Sequence, residues 1–207
     1  MKAIGVISAR AALTWAALAV AVAVPLAAAA VSPLHQWRGP VYIAAGFAGV
    51  VGLALMLVQP LLIGGYLPGL SAYRGRRVHR WIGGLLVLAV IVHVVGLWVT
   101  SPPDVIDALL FDSPTPFSNW GVVAMWAIFA TALLALVRRR ARLGLRTWRV
   151  AHTAFAVVIV ITTAAHAMLI EGAMETVSKA ILCALVILAT LKVVADLRVW
   201  TTRSNAR

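Results

Sequence analysis

RRVHRWIGGLLVLAVIVH (Arg76–His93) opens on a basic cluster and runs, without an acid or a proline, through an apolar stretch to a second histidine. His79 and His93 stand 14 residues apart. In an α-helix that interval rises about 21 Å and falls about 40° short of four turns, so both rings leave one face of the helix. The interval recurs in RVAHTAFAVVIVITTAAH (Arg149–His166), where His152 and His166 are again 14 residues apart.

Each of these stretches lies in a segment long and apolar enough to cross a bilayer, which takes about 20 residues in a helix. Working outward, six such spans emerge: 11–31, 41–62, 79–100, 120–137, 148–170 and 177–199. The fourth is the shortest and has room for a further turn at either end. Composition agrees: of 207 residues, 63% are hydrophobic and 12% charged, too few charges to coat a soluble protein of this size. The fold class expected is all-α, a polytopic membrane six-helix bundle forming one domain over residues 1–207.

The net charge of +12 is distributed by side. The N-terminus (Lys2, Arg10), the second connection RGRRVHR (Arg74–Arg80), the fourth connection RRRARLGLRTWR (Arg138–Arg149) and the tail (Arg198, Arg203, Arg207) are basic. The first, third and fifth connections hold five of the six acids and only Arg38 and Lys179 as cations. By the positive-inside rule both termini are cytoplasmic and the chain is a multi-pass protein of a bacterial inner membrane. No basic surface is interleaved with aromatics as base stacking requires, so no nucleic acid is expected.

Lys2, Arg10 and the alanines before Val31 also resemble a cleavable signal peptide, but the apolar stretch is long for one and contains Pro25, so a retained first helix is expected. Trp81, Trp98, Trp120 and Trp148 fall near span ends, as interfacial anchors do. Val105–Phe111, set between prolines, is expected as a short amphipathic helix on the membrane surface. Cys183 is the lone cysteine, which excludes disulfides, zinc ribbons and iron–sulfur clusters within the chain.

The third and fifth spans run in the same direction. His79 and His152 therefore share the cytoplasmic depth, and His93 and His166 the outer depth. A single intramembrane histidine is best explained as a hydrogen-bonded interior residue or a proton relay. Two pairs matched in interval, face, depth and direction point instead to axial ligation of two stacked b-type haems: His79 with His152 inside, His93 with His166 outside. Haem propionates need cations; Arg77, Arg80 and Arg149 flank the inner pair, with Arg74, Arg76 and Arg146 nearby, whereas only Arg38 is placed to serve the outer one. Gly83, Gly84 and Gly96 follow the third-span histidines by about a turn, suiting either a close-lying macrocycle or plain helix packing. His35 has no matching histidine and is expected on the surface; Met168 and Met174 are expected to pack.

Together with the stretch LGLRTWRVAH (Leu143–His152), these segments resemble the third and fifth helices of the ferric reductase-like transmembrane domain family. That family includes the membrane halves of ferric reductases and NADPH oxidases and the haem-binding membrane subunit of bacterial methionine sulfoxide reductase. The resemblance covers nearly the whole chain. It implies iron-ligating roles for the same four histidines and electron transfer from a cytoplasmic donor to an outer acceptor. Ferric reductases and oxidases continue into a flavin and nicotinamide domain; no glycine-rich dinucleotide fingerprint occurs here, so a separate flavin reductase, free flavin or a quinol is the expected donor. Ferric iron, oxygen or an extracytoplasmic redox partner is the expected acceptor. Some members serving the sulfoxide reductase lack the first histidine of the third helix, which His79 supplies here. Two other functions fit parts of the pattern: a quinol-linked cytochrome b subunit, and a histidine-lined metal or proton transporter. The latter is disfavoured because Asp196 is the sole acid within a span.

Overall fold

The structure, a computed structural model, describes residues 8–138 and 140–197. Among these the chain is entirely helical: α1 (Ala9–Ala30), α2 (Pro40–Gly64), α3 (Ala72–Thr100), α4 (Pro102–Leu109), α5 (Pro116–Val137), α6 (Leu145–Leu169) and α7 (Thr176–Leu197). All but α4 are long and apolar enough to cross a membrane. The ends follow local chemistry. The Ser8 and Ser71 hydroxyls accept the Ala11 and Arg74 N–H groups that α1 and α3 leave unpaired. Prolines open α2, α4 and α5, where the missing N–H costs nothing. Gly65 ends α2 in the left-handed conformation (φ 69°).

The helices form two antiparallel hairpins, α2–α3 and α5–α6, each packed along its length. α7 lies against α2 and α6 and joins the hairpins, and α1 rests on α2 and α7. α3 and α6 face each other with almost no close backbone approach. The core centres on Leu182 and Val186 of α7, which share one buried cluster with Leu53 and Leu57 of α2 and Ile159 of α6. Leu85, Leu88, Val92, Val95 and Val99 repeat at helical spacing on α3 and are exposed, the stripe expected of a surface facing lipid.

The bundle has a basic end, holding the α2–α3 and α5–α6 connections, and an acidic end. At the basic end Tyr66 donates to Asp196, which also pairs with Lys192 at 2.9 Å, fastening the end of α2 to α7.

Several expected boundaries shift. The basic segment Arg74–Arg80 is not a loop but the first turns of α3; arginine is a good helix former, so a run of charge marks the edge of lipid, not the end of a helix. Arg146, Trp148 and Arg149 likewise lie inside α6. The fourth span gains a turn, starting at Pro116. The surface helix is α4, over Pro102–Leu109, slightly earlier than expected. Lys2, Arg139, the tail arginines and the last residues of the sixth span lie outside the described residues.

Candidate functional site

α3 runs unbroken through His79 and His93, and α6 through His152 and His166. The structure brings the four rings together as two facing pairs. His79 and His152 have ring centres 6.1 Å apart and planes at 68°; for His93 and His166 the values are 6.4 Å and 80°. The 14-residue interval sets the pairs about 21 Å apart along the helices, a large part of a hydrocarbon core about 30 Å thick.

At the acidic end the rings are held by backbone. His93 Nδ1 donates to the Ala45 carbonyl of α2 at 2.8 Å, and His166 Nδ1 donates to the Phe117 carbonyl of α5 at 2.8 Å. A carbonyl can only accept, so in the neutral ring Nδ1 carries the proton and Nε2 carries the lone pair. One turn beyond each carbonyl stands a glycine. A Cβ at Gly49 would lie 3.1 Å from His93 Nδ1, and one at Gly121 only 2.7 Å from His166 Nδ1. The two hairpins thus repeat one device: a carbonyl takes the Nδ1 proton, and a glycine one turn on gives the ring room. The Phe117 ring also packs edge-on against His166, with centres 5.9 Å apart.

Below His166, the Ile170 N–H closes the last turn of α6 on the His166 carbonyl at 3.2 Å. The Ile170 carbonyl accepts from Lys179 Nζ at 2.8 Å. Lys179 is 5% exposed, a buried cation placed where the helix ends on its unpaired carbonyls. A cleft of about 360 Å³ opens beside this end of α6, lined in part by Tyr42, Thr115, Phe117, Ile170 and Glu171.

The basic-end pair is held differently. His79 meets the side-chain amide of Gln59 on α2. His152 Nδ1 is buried with no hydrogen-bond partner among the described residues. Its ring is stacked on Trp148, one turn earlier, at 5.2 Å and 20°, and Arg138 lies over the other ring of that stack, 4.3 Å from the Trp148 centre.

Arg77, Arg80 and Arg149 are exposed around this end. Arg149 reaches the Leu197 carbonyl at 3.5 Å. Among the described residues the only ion pair is Lys192–Asp196, so no carboxylate engages these arginines. Arg38 stacks over Tyr42 at 4.7 Å. His35, expected on the surface, is half-buried: it bonds the Ala29 carbonyl at 2.6 Å and stacks on Phe47 at 5.6 Å, pinning the α1–α2 connection. Met174 packs against the core, Met168 is exposed, and Cys183 is buried in the core. Of the three glycines that suited either a close-lying macrocycle or helix packing, Gly96 packs α3 on Ala45 and Gly83 abuts Gln59, while Gly84 meets nothing nearby among the described residues.

The family described as ferric reductase like transmembrane component matches residues 45–163. The chain belongs to this family. Such domains typically carry electrons across membranes. The match holds His79, His93 and His152, and also Gln59, Gly49, Gly121 and the accepting carbonyls of Ala45 and Phe117; His166 lies three residues past its end and enters the site by facing His93. No curated protein and no solved structure matches the chain.

Proposed function

We propose that this ferric reductase-like domain carries electrons through two b-type haems, one on each histidine pair, from a donor at the basic end to an acceptor at the acidic end. The observation that carries this reading is the spacing of the facing rings. At 6.1 and 6.4 Å between centres, each facing pair leaves the gap that one metal ion held between two imidazole nitrogens, at about 2.0 Å from each, would occupy. Each pair offers two nitrogens, and among the described residues no group of three metal-ligating side chains converges. Two histidines per site would suit a haem, whose iron needs only two ligands from the protein. The Nδ1 bonds at His93 and His166 are the outer contacts that fix ring orientation and turn Nε2 to a metal.

When bound, the haem iron supplies one-electron chemistry. The chain's own residues set the rest. His79 and His152 hold one site near the basic face, and His93 and His166 hold the other near the acidic face. Arg77, Arg80 and Arg149, without carboxylate partners among the described residues, are available to propionates or to anionic lipid at the basic end. The positive-inside rule makes that end cytoplasmic, with both termini there. The donor is a separate flavin reductase or a quinol, and the acceptor approaches through the cleft beside Phe117 and Ile170.

Reconstituted vesicles test the reading. With a reductant trapped on the basic-end side and impermeant ferricyanide on the other, the wild type bleaches ferricyanide. Variants lacking either histidine pair fall to the leak rate. Equal rates in wild type and His93→Ala would overturn the path.

A further inference from the structure

α2 supplies an Nδ1 partner to both histidines of α3, at the interval of the histidines themselves: Ala45 for His93 and, 14 residues on, Gln59 for His79. The first partner is a backbone carbonyl, which can only accept. The second is a primary amide, which accepts on one side and donates on the other.

The Gln59 amide reaches three groups of α3: His79 Nδ1, the His79 carbonyl and the Gly83 N–H. Gly83 admits it, since a Cβ there would stand 3.2 Å from the end of the amide. Turned one way, the amide nitrogen donates to Nδ1 and to the His79 carbonyl at 3.3 Å, while Oε1 accepts the Gly83 N–H at 2.9 Å. Every polar contact is then satisfied, but Nδ1 is an acceptor and the ring proton sits on Nε2. Turned the other way, Oε1 accepts Nδ1–H and frees the Nε2 lone pair. Oε1 then faces the His79 carbonyl, and the NH₂ faces the Gly83 N–H. Only this second state leaves His79 able to ligate a metal facing His152.

We propose that Gln59 is a positioning residue for His79, its amide orientation deciding which ring nitrogen carries the proton and hence whether the ring can ligate. The proposal rests on the haem reading above. Among the described residues the α5–α6 hairpin has no counterpart, because His152 Nδ1 meets no hydrogen-bond partner there. The basic-end site is therefore adjustable through one side chain, and the acidic-end site is not.

In the ligating state the Oε1 acceptor strengthens His79 as a donor and favours the oxidised metal. Gln59→Leu removes that acceptor; Gln59→Glu replaces it with a stronger one. Loss of one hydrogen bond changes the ferric-to-ferrous affinity ratio by about fivefold, about 40 mV at about 59 mV per tenfold for one electron. The test is a redox titration of the haem absorption in the holoprotein, with each variant also made in a His93→Ala background to isolate the basic-end haem. Gln59→Leu is expected to raise that midpoint potential and Gln59→Glu to lower it, with the acidic-end haem unmoved. Shifts of the same sign, no shift, or a shift confined to the acidic-end haem would overturn the proposal. If the wild type binds no haem, the proposed function fails instead. Histidine ¹⁵N shifts then decide the role of Gln59: a His79 tautomer preference in wild type that is lost in Gln59→Leu supports it, and the same tautomer populations in wild type and Gln59→Leu overturn it.

Discussion

The two histidine pairs share a geometry and differ in what holds it. At the acidic end both rings are bonded by backbone carbonyls, Ala45 and Phe117, with Gly49 and Gly121 clearing space one turn on. At the basic end one ring meets the Gln59 side chain and the other is stacked on Trp148 beneath Arg138. A helix carbonyl cannot change role, so the position of the proton at the acidic end is fixed by helix register. At the basic end it depends on side chains that can turn or be replaced. The acidic pair should therefore be broken by adding a methyl group, and the basic pair tuned by altering a partner.

The sharpest way to break this comparison is at Gly121. Gly121→Ala puts a Cβ 2.7 Å from His166 Nδ1, closer than real side chains come, with the Phe117 bond holding the ring in place. It should abolish the acidic-end haem as fully as His166→Ala, measured as haem per chain. Gly49→Ala, at 3.1 Å, leaves a shift of a few tenths of an ångström to be absorbed, and should keep the haem with a weakened hold. The reverse order would contradict the claim that clearance to Nδ1 sets the effect. Lys179→Ala is expected to come next. It leaves the Ile170 carbonyl uncapped beside His166 and should cost about 1.5–3 kcal/mol in thermal unfolding, the range for a hydrogen bond to a charged group. Trp148→Leu removes the stack on His152, worth about 0.5–1.5 kcal/mol. Its signature is faster loss of the basic-end haem to an external acceptor protein, with the acidic-end haem unaffected.

The smallest effect expected is that of pH at the start of α7. The Glu175 carboxylate accepts the Ser178 and Val177 N–H groups, each at 2.7 Å, and these bonds hold its pKa below the usual carboxylate range. A lowered folded-state pKa adds stability that is present above the unfolded value of 4.5 and is lost as pH falls through the folded value. Amide exchange in the first turn of α7 should therefore speed up on acidification below that value in wild type. Glu175→Gln should flatten the dependence.

Much of this architecture was legible in the sequence. Six apolar lengths fixed the spans, and the 14-residue interval with parallel running direction was enough to pair His79 with His152 and His93 with His166. Helix ends were less legible, because Arg74–Arg80 signals the membrane surface while remaining helical. What positions the rings was mostly hidden. Ala45 and Phe117 act through carbonyls that every residue possesses. Gly49 and Gly121 become meaningful only once the register of α2 on α3 and of α5 on α6 is known. Trp148 carried a signal that spacing could have revealed, since a residue one turn before His152 lies over it; its place at the membrane edge suggested an anchor instead. Gln59 is one polar residue near the end of an apolar helix, and its importance comes from Gly83 on the facing helix.

The central claim is that the four histidines make two haem sites, and the most direct test is a reduced-minus-oxidised spectrum with haem quantitation on wild type and the four single His→Ala variants. Two b-type haems per chain are expected, with His79→Ala or His152→Ala removing one and His93→Ala or His166→Ala removing the other. A chain with no haem, or with one haem indifferent to the loss of either basic-end histidine, would contradict the account.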